Sequence, residues 1–385
     1  MPLFWIAFRL FLYPAEPSDT WKILYNEGAQ ALEQGEPREA AAHFERALAL
    51  DRNNPKILHG LLIAELACGR TGPALQSGQK LLRILRTQPD FNLSMAAGGA
   101  FARHTQFAEA VEFFKLAQAH APPTINGRSS GNYFDTLLAG LFAQMKQDHE
   151  AVAALKRLVR SEPGEPSHYY QLGLIEIKNA DFEDAYKMLQ HALERFPSSF
   201  EIRLAYALAC YFTGRNDLAE RSYRQLIEIR PDSGQPYFAL GNFYADTGRD
   251  TDAVQAFAQA TRLEPNNYLN QYMYGVELIR TEKISPAASA LRKAVKLNPK
   301  HADSYYWLGK IYLLEDRRDL ALKAFETAVQ LEPKHIGAYY QLALLYKRGG
   351  QIDKARAASQ KRMELTQALH GGIVAERMAP VQDNK

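Results

Sequence analysis

Two groups of residues have the types and the spacing that catalysis or metal binding could use. Ser77 and Lys80 are three residues apart, as are a serine nucleophile and its lysine partner in some acyl-transfer enzymes. The other motifs of such enzymes are missing, and the pair falls in an amphipathic helical pattern. His301 and His335 occupy equivalent positions of two successive sequence repeats, which could place two imidazoles on one edge, but neither has a cysteine or a supporting carboxylate at ligand spacing. We therefore expect chance spacing for the first pair and surface loops for the two histidines.

The remaining reactive residue types favour structural roles. Two carboxylate pairs stand in turns between predicted helices, where solvated charges and helix caps are common: Glu183-Asp184 and Glu315-Asp316. Cys68 and Cys210 each fall within a helical pattern without a metal-ligand neighbour, which predicts two buried, reduced thiols. No glycine-rich phosphate loop follows a strand pattern. The sequence predicts no enzyme, no cofactor and no metal site.

Composition and net charge limit the classes of binding partner that the chain is expected to have. The 385 residues are 46% hydrophobic and 23% charged, which is typical of a folded chain. The net charge of +3 is too small to indicate a nucleic acid or a membrane surface as the partner. We expect a protein or an extended peptide as the partner, and neither a nucleic acid nor a small-molecule substrate.

The first residues are the one candidate for a targeting segment. Pro2 to Tyr13 is apolar but carries Arg9, and it is too short to cross a membrane as a helix. It also lacks the basic stretch that precedes the core of a secretory signal. A cap on the first repeat, a weak export signal and a mis-chosen start codon all remain open. We expect no stable membrane insertion and favour the cytoplasm, with export as the alternative.

A strict period organises the chain. From Ala151 to Ala355, alanine recurs at a constant interval along the sequence. This interval equals the sequence separation of Ala321 and Ala355. Further anchors lie upstream, where short insertions lengthen two of the steps. Since chance does not maintain such a period, the chain is predicted to consist of ten repeated units. The ten anchors are Ala40, Ala74, Ala110, Ala151, Ala185, Ala219, Ala253, Ala287, Ala321 and Ala355.

Each unit has the pattern of two amphipathic helices, with apolar residues three and four positions apart. One unit contains Tyr237, Leu240, Gly241, Tyr244, Ala253, Phe257, Ala260 and Pro265. This arrangement resembles the tetratricopeptide-repeat (TPR) family over Trp21 to Leu369. The resemblance implies an all-α fold, a right-handed superhelical α-solenoid of tandem helix-turn-helix repeats, with a concave groove that binds peptides or proteins.

Glycine marks the turn and the helix contact of many units. One set ends the first helix, because glycine accepts a left-handed backbone at low cost: Gly35, Gly69, Gly214, Gly248 and Gly350. A second set lets the two helices of a unit approach closely: Gly28, Gly173, Gly241, Gly275 and Gly309.

The array is expected to be interrupted once. Residues 1–20 form the apolar N-terminal segment, and 21–124 an N-terminal block of three repeats. A turn-rich loop at 125–131 separates this block from seven repeats at 132–369, the last of which is a cap. Residues 370–385 are expected to be a mobile tail.

A candidate binding surface follows from the resemblance, which places the fifth position of each first helix on the concave surface. No lysine occupies that position and only Asn242 matches the asparagine of the family's carboxylate clamp, so a clamp for chaperone tails is not expected. The position is instead mostly aromatic: Tyr170, Phe238, Tyr272, Tyr306 and Tyr340. These rings either bind the partner or pack between repeats, and both interpretations remain open. Cations on or near the same face favour an acidic or extended polar segment: Lys178, Arg280, Lys310, Lys347 and Arg348.

The sequence thus predicts a non-catalytic scaffold that recruits partner proteins through its groove. One alternative is a structural assembly factor of an envelope machine of the pilus or secretion type. Another is the regulatory arm of an enzyme complex.

Overall fold

A computed structural model describes the backbone of residues 20–378 and the side chains of residues 20–369. The apolar segment before residue 20 and the residues after Met378 lie outside this range. The chain divides into two compact units, Met1–Ala205 and Tyr206–Lys385, and each is described by itself. Helices account for about four-fifths of the described residues in both.

The first unit contains ten helices and one small hairpin, followed by the start of an eleventh helix. They are α1 (Thr20–Glu33), α2 (Pro37–Leu50), α3 (Pro55–Ala67), α4 (Thr71–Thr87), α5 (Phe91–Arg103), α6 (Phe107–Ala119), β1 (Thr124–Ile125), β2 (Arg128–Ser129), α7 (Ser130–Gln144), α8 (Asp148–Ser161), α9 (Pro166–Lys178), α10 (Phe182–Arg195) and α11 (Phe200–Phe212), which ends in the second unit.

The second unit continues the same alternation of first and second helices. Its helices are α12 (Asn216–Ile229), α13 (Gly234–Asp246), α14 (Asp250–Leu263), α15 (Tyr268–Arg280), α16 (Ile284–Leu297), α17 (Ala302–Leu314), α18 (Arg318–Leu331), α19 (Ile336–Arg348) and α20 (Ile352–Met378). The described residues thus form ten successive helix pairs, which confirms the predicted α-solenoid of tandem repeats. Within residues 20–378, none of the helices combines the length and apolar character that a membrane crossing requires.

The turn inside each helix pair has a left-handed residue. All five glycines of the first predicted set have φ between 72° and 78°. The equivalent residue of the other five pairs has a positive φ although it is not glycine: Thr105, Lys146, Ala180, Glu282 and Asp316. The geometry of the turn is therefore imposed by the two packed helices, and glycine only lowers its cost.

The small residue of the first helix allows close packing, as predicted. A β-carbon added to Gly241 would lie 2.7 Å from a ring atom of Phe257, and one added to Gly309 would lie 2.7 Å from Phe325. Both phenylalanines are fully buried. Each of these pairs therefore forms its core by inserting one large side chain of the second helix against a bare backbone of the first.

The interruption predicted at 125–131 contains a short hairpin. Ile125 pairs with Arg128, and Asn126 and Gly127 form the turn with φ of 51° and 79°. Both central residues are left-handed, as a type I′ hairpin turn requires. The helix α7 begins at Ser130, so the last two residues of the expected loop belong to its first turn.

The last helix is longer than the other second helices. It has 27 residues and continues to Met378, whereas most second helices have 14. Residues 370–378 of the expected tail are thus helical, and residues 379–385 lie outside the described range.

Candidate functional site

The aromatic residues of the predicted groove all lie on first helices. Tyr170 is on α9 in the first unit, and it is half-buried. The other four belong to the second unit: Phe238 on α13, Tyr272 on α15, Tyr306 on α17 and Tyr340 on α19. Their surroundings differ, and these differences separate rings that pack between repeats from a ring that is more accessible to solvent.

Two of the tyrosines pack against the following repeat. The ring centroid of Tyr272 lies 4.7 Å from that of His301, and the ring of Tyr306 lies 4.8 Å from that of His335. A β-carbon added to Gly337 would lie 3.2 Å from the ring of Tyr306. Burial raises the pKa of Tyr272 to about 12 and also raises the pKa of Tyr306. Both rings therefore contribute to the contact between successive repeats.

Phe238 and Tyr340 have different surroundings. Phe238 is half-buried, with its ring centroid 5.6 Å from that of Phe257 in its own helix pair. Tyr340 is 44% exposed, and the guanidinium of Arg362 lies 5.4 Å from its ring centroid. Tyr340 therefore offers the most accessible ring among the four of the second unit.

Lys310 stands next to this ring system on α17. Its ammonium lies 4.6 Å from the ring centroid of Trp307 and 6.0 Å from that of Tyr306. Asn242, the remaining predicted residue, is half-buried on α13. An ammonium over two aromatic faces keeps its charge available, because no carboxylate among the described side chains neutralises it.

The five cations of the sequence analysis fall into two groups. Lys178 is held by Asp148, with Nζ 2.8 Å from a carboxylate oxygen. Arg280 lies 3.4 Å from Glu277 and 3.9 Å from Asp250. The other three have no carboxylate within ion-pairing distance among the described side chains: Lys310, Lys347 and Arg348.

One expectation about the histidines is wrong. His335 is not a surface loop residue, since only 10% of its side chain is exposed. Its Nε2 lies 3.1 Å from Asp303, and its Nδ1 accepts a hydrogen bond from the backbone N–H of Ala338. Asp303 belongs to the preceding repeat, and the stacking of the repeats brings the two side chains together. His301 lies 2.8 Å from Ser304 and is half-buried.

The serine–lysine pair does not come together as a catalytic pair. Ser77 is buried close to Glu65. The ammonium of Lys80 donates to the backbone carbonyl of Arg52. Both contacts join helices or repeats, so the spacing of the pair reflects packing.

The other candidates of the sequence lie where packing places them. Cys210 is buried and Cys68 is half-buried, and both are free thiols. The pair Glu183-Asp184 belongs to the first turn of α10, where acidic residues favour the helix N-terminus. Among the residues that the structure describes, no three potential ligands cluster as a metal site would need.

Sequence reasoning did not find three buried carboxylates. Glu65, Glu176 and Glu277 are 4%, 2% and 1% exposed, and each has one carboxylate oxygen without a hydrogen-bond partner among the described residues. Burial raises the pKa of all three. The available clue was their position, since Glu65 and Glu176 stand where other units carry a patterned tyrosine.

Models of one repeat family match the chain. The tetratricopeptide repeat matches at residues 31–97, 170–234, 211–268, 272–336 and 324–357, which together span more than half of the sequence. No curated protein matches the chain.

Three solved structures illustrate the similarity. The structure of MamA is 27% identical and covers 43% of this chain and 96% of its own, with a TM-score of 0.40. YrrB, described as a TPR protein with an unusual peptide-binding site, is 18% identical over 50% of this chain and 98% of its own, with a TM-score of 0.40. Yeast Tom70 is 14% identical over 96% of this chain and 98% of its own, with a TM-score of 0.46. The repeat matches and the ten helix pairs together establish that the chain belongs to the tetratricopeptide-repeat family.

Proposed function

We propose that this protein is a non-catalytic scaffold that binds an extended, acidic segment of a partner protein on first helices of its second unit. The family to which the chain belongs consists mainly of interaction scaffolds without catalytic activity. Tandem repeats present equivalent positions side by side, which suits the binding of an extended chain. The proposed surface, called here the α17–α19 face, consists of Tyr306, Trp307, Lys310, Leu314, Tyr340, Leu344, Lys347 and Arg348.

The observation that carries the proposal is the coincidence of accessible apolar groups with unpaired cations. Leu314, Tyr340 and Leu344 are 63%, 44% and 36% exposed. Lys310 and Lys347 stand on the same two helices without a carboxylate partner among the described side chains. Exposed apolar side chains beside unpaired charge of one sign indicate an interaction surface more than a solvated face.

Helical spacing places these residues together. On α19, residue 344 follows residue 340 by four positions, and residues 347 and 348 follow residue 344 by three and four, so all four share one side of the helix. On α17, residues 306, 310 and 314 do the same. The face therefore offers apolar contacts for alternate side chains and cations for the intervening acidic ones.

The remaining predicted residues have graded roles in this proposal. Tyr272 and Tyr306 hold successive repeats, and only their exposed edges contact the partner. Phe238 and Asn242 extend the face toward α13. Tyr170 holds the corresponding position in the first unit, where it offers a similar ring to a partner.

The test compares variants on and off the face. A library of extended peptides of graded acidity is titrated against the full chain by fluorescence anisotropy. Lys310→Ala/Tyr340→Ala should weaken the tightest acidic peptide at least tenfold, which is about 1.4 kcal/mol or more. The control Lys323→Ala/Leu331→Ala removes a cation and an exposed apolar residue from α18 of the same unit.

The control should bind like the parent chain, and neither double variant should move the melting temperature by more than about 2 °C. Equal weakening by both variants, or binding that is indifferent to peptide charge, would refute the proposed face.

A further inference from the structure

A groove of about 300 Å³ lies in the first unit, among the helices α8, α9 and α10. Its apolar floor consists of Val159, Leu172 and Met188, and Glu176 also lines it. The rim carries charged side chains of both signs: Lys156, Arg160, Asp184 and Lys187. None of these residues belongs to the α17–α19 face, which lies in the other unit.

The repeat register shows which side chain the groove lacks. Glu176 stands two, four and five whole repeats before Tyr244, Tyr312 and Tyr346. Tyr244 and Tyr346 are 4% and 9% exposed, so the surrounding helices bury a phenol ring at this position in those units. A glutamate is shorter and has no ring, and the groove lies where Glu176 stands in place of such a tyrosine.

The hydrogen bond made by Tyr346 has a counterpart at Glu176. The hydroxyl of Tyr346 donates to Glu326 on the preceding second helix, at 2.7 Å. Five repeats earlier the corresponding pair is Glu176 and Lys156, at 3.0 Å. The polarity is reversed, with the acceptor now on the first helix. A hydroxyl that enters this groove therefore meets an acceptor, as the hydroxyl of Tyr346 does.

The carboxylate of Glu176 has capacity for another donor. It is 2% exposed, and its Oε2 has no hydrogen-bond partner among the described residues. A buried acceptor without a donor costs free energy, on the order of 1 to 3 kcal/mol. A ligand hydroxyl that displaces the side chains covering this oxygen would relieve that cost, which an apolar ligand could not do.

We propose that this groove binds a tyrosine side chain of a partner protein, with the ring between Leu172 and Met188 and the hydroxyl donating to Glu176. The groove is open to solvent, which suits a side chain presented by a protein surface. Arg160 at the rim has no carboxylate partner among the described side chains and is free to contact the backbone carbonyl of the incoming residue.

The methyl group of Met188 reports directly on occupancy. The full chain is labelled with ¹³C at its methionine methyl groups, of which there are seven, and Met188→Leu assigns the signal. N-acetyl-tyrosinamide is then titrated as the probe. A saturable shift of the Met188 signal is expected, with a dissociation constant on the order of 1 mM. N-acetyl-phenylalaninamide, which lacks the hydroxyl, should bind at least threefold more weakly.

The matched variant is Glu176→Tyr, which gives this repeat the residue that three other units carry. It should fill the groove, abolish the Met188 shift and leave the melting temperature unchanged or higher. Glu176→Gln keeps the shape of the side chain, so it should weaken the tyrosine probe and leave the phenylalanine probe unaffected.

Three outcomes would each overturn the assignment: no Met188 shift with the tyrosine probe, an undiminished shift in Glu176→Tyr, or equal affinity for the two probes. The α17–α19 face is tested by other residues in the other unit, so either proposal can fail without the other.

Discussion

The imidazole of His335 joins two repeats by bonding at both of its nitrogens. Nε2 lies 3.1 Å from Asp303 on α17, and Nδ1 accepts the N–H of Ala338 in the first turn of α19. Asp303 favours the imidazolium, whereas the Ala338 contact needs an unprotonated Nδ1. The charge-assisted contact is the stronger of the two, and it raises the pKa of His335 and lowers that of Asp303.

A pH dependence of stability follows from this pair. The raised pKa of His335 means that its contribution is fully present below about pH 6.5 and is lost as the pH rises through the folded-state pKa. The lowered pKa of Asp303 means that its contribution is present above its ordinary value of 3.8 and is lost at lower pH. The contact between these repeats should therefore be strongest between about pH 4 and 6.5.

The measurement is urea unfolding of the parent chain and of His335→Asn at pH 5.5 and pH 8. Asparagine keeps an N-cap acceptor and removes the titrating group. The difference in stability should be about 1 kcal/mol or less, because Asp303 is half-exposed, and it should be larger at pH 5.5. A difference that grows toward pH 8 would contradict this account.

Substitution of a contact glycine should destabilise its repeat. In Gly241→Ala the new methyl group would lie 2.7 Å from a ring atom of the fully buried Phe257, so the helices must separate. We expect a loss of about 1 to 3 kcal/mol, measured by chemical denaturation. Gly140 in α7 is the matched control, because nothing lies within 4 Å of the added carbon. Gly140→Ala should be neutral or stabilising by up to about 1 kcal/mol.

Arg362 should keep the last repeat from acting as a site for further stacking. At its position in the three units before the last, the chain carries buried alanines: Ala260, Ala294 and Ala328. In the final unit the guanidinium lies over Tyr340 instead, 5.4 Å from the ring centroid. Arg362→Ala should thus uncover an apolar surface and increase concentration-dependent self-association in sedimentation experiments. Lys361→Ala, which removes a neighbouring charge, should not increase self-association. Identical behaviour of the two variants would argue against the role of Arg362 as a cap.

The hairpin between α6 and α7 should be the first site of proteolysis, and its anchoring should set the rate. Arg128 donates to the carboxylate of Glu162 in α8's C-cap, and Ser130 donates to the carbonyl of Pro122. Asn126 and Gly127, at the tip of the hairpin, are both exposed. Limited proteolysis should cleave near the tip and release a stable C-terminal block, faster in Arg128→Ala. First cleavage within residues 185–321 would refute the boundary.

The repeat period predicted the helix pairs because it aligns all the units, so that the two helices recognised in one unit are expected at the same positions of the others. It also predicted the turn glycines, since Gly248 and its equivalents are left-handed. It could not show that Ala180 and Glu282 take the same conformation, because their side chains disfavour it and only the packed helices impose it.

The sequence predicted where the aromatic residues of the candidate site lie, but it did not predict which side chains surround them. The period placed Tyr306 and Tyr340 at equivalent points of successive first helices. Whether a ring is covered depends on the next repeat, which supplies His335 and Gly337 to Tyr306. The strands at 124–125 and 128–129 are too short for any alternation to be seen.

The reversed pair at Glu176 and Lys156 has a consequence for the order of the repeats. In the last two units the acceptor is Glu326 and the donor is Tyr346. If the unit that begins with α9 were moved to follow Glu326, two carboxylates would face each other in a buried site. At these two junctions the second helix therefore matches the first helix that follows it, and the two repeats are not interchangeable. A chain with its repeats in another order would keep every helix but lose the matched polar contacts between neighbouring repeats. These contacts therefore help to determine the linear order of the repeats.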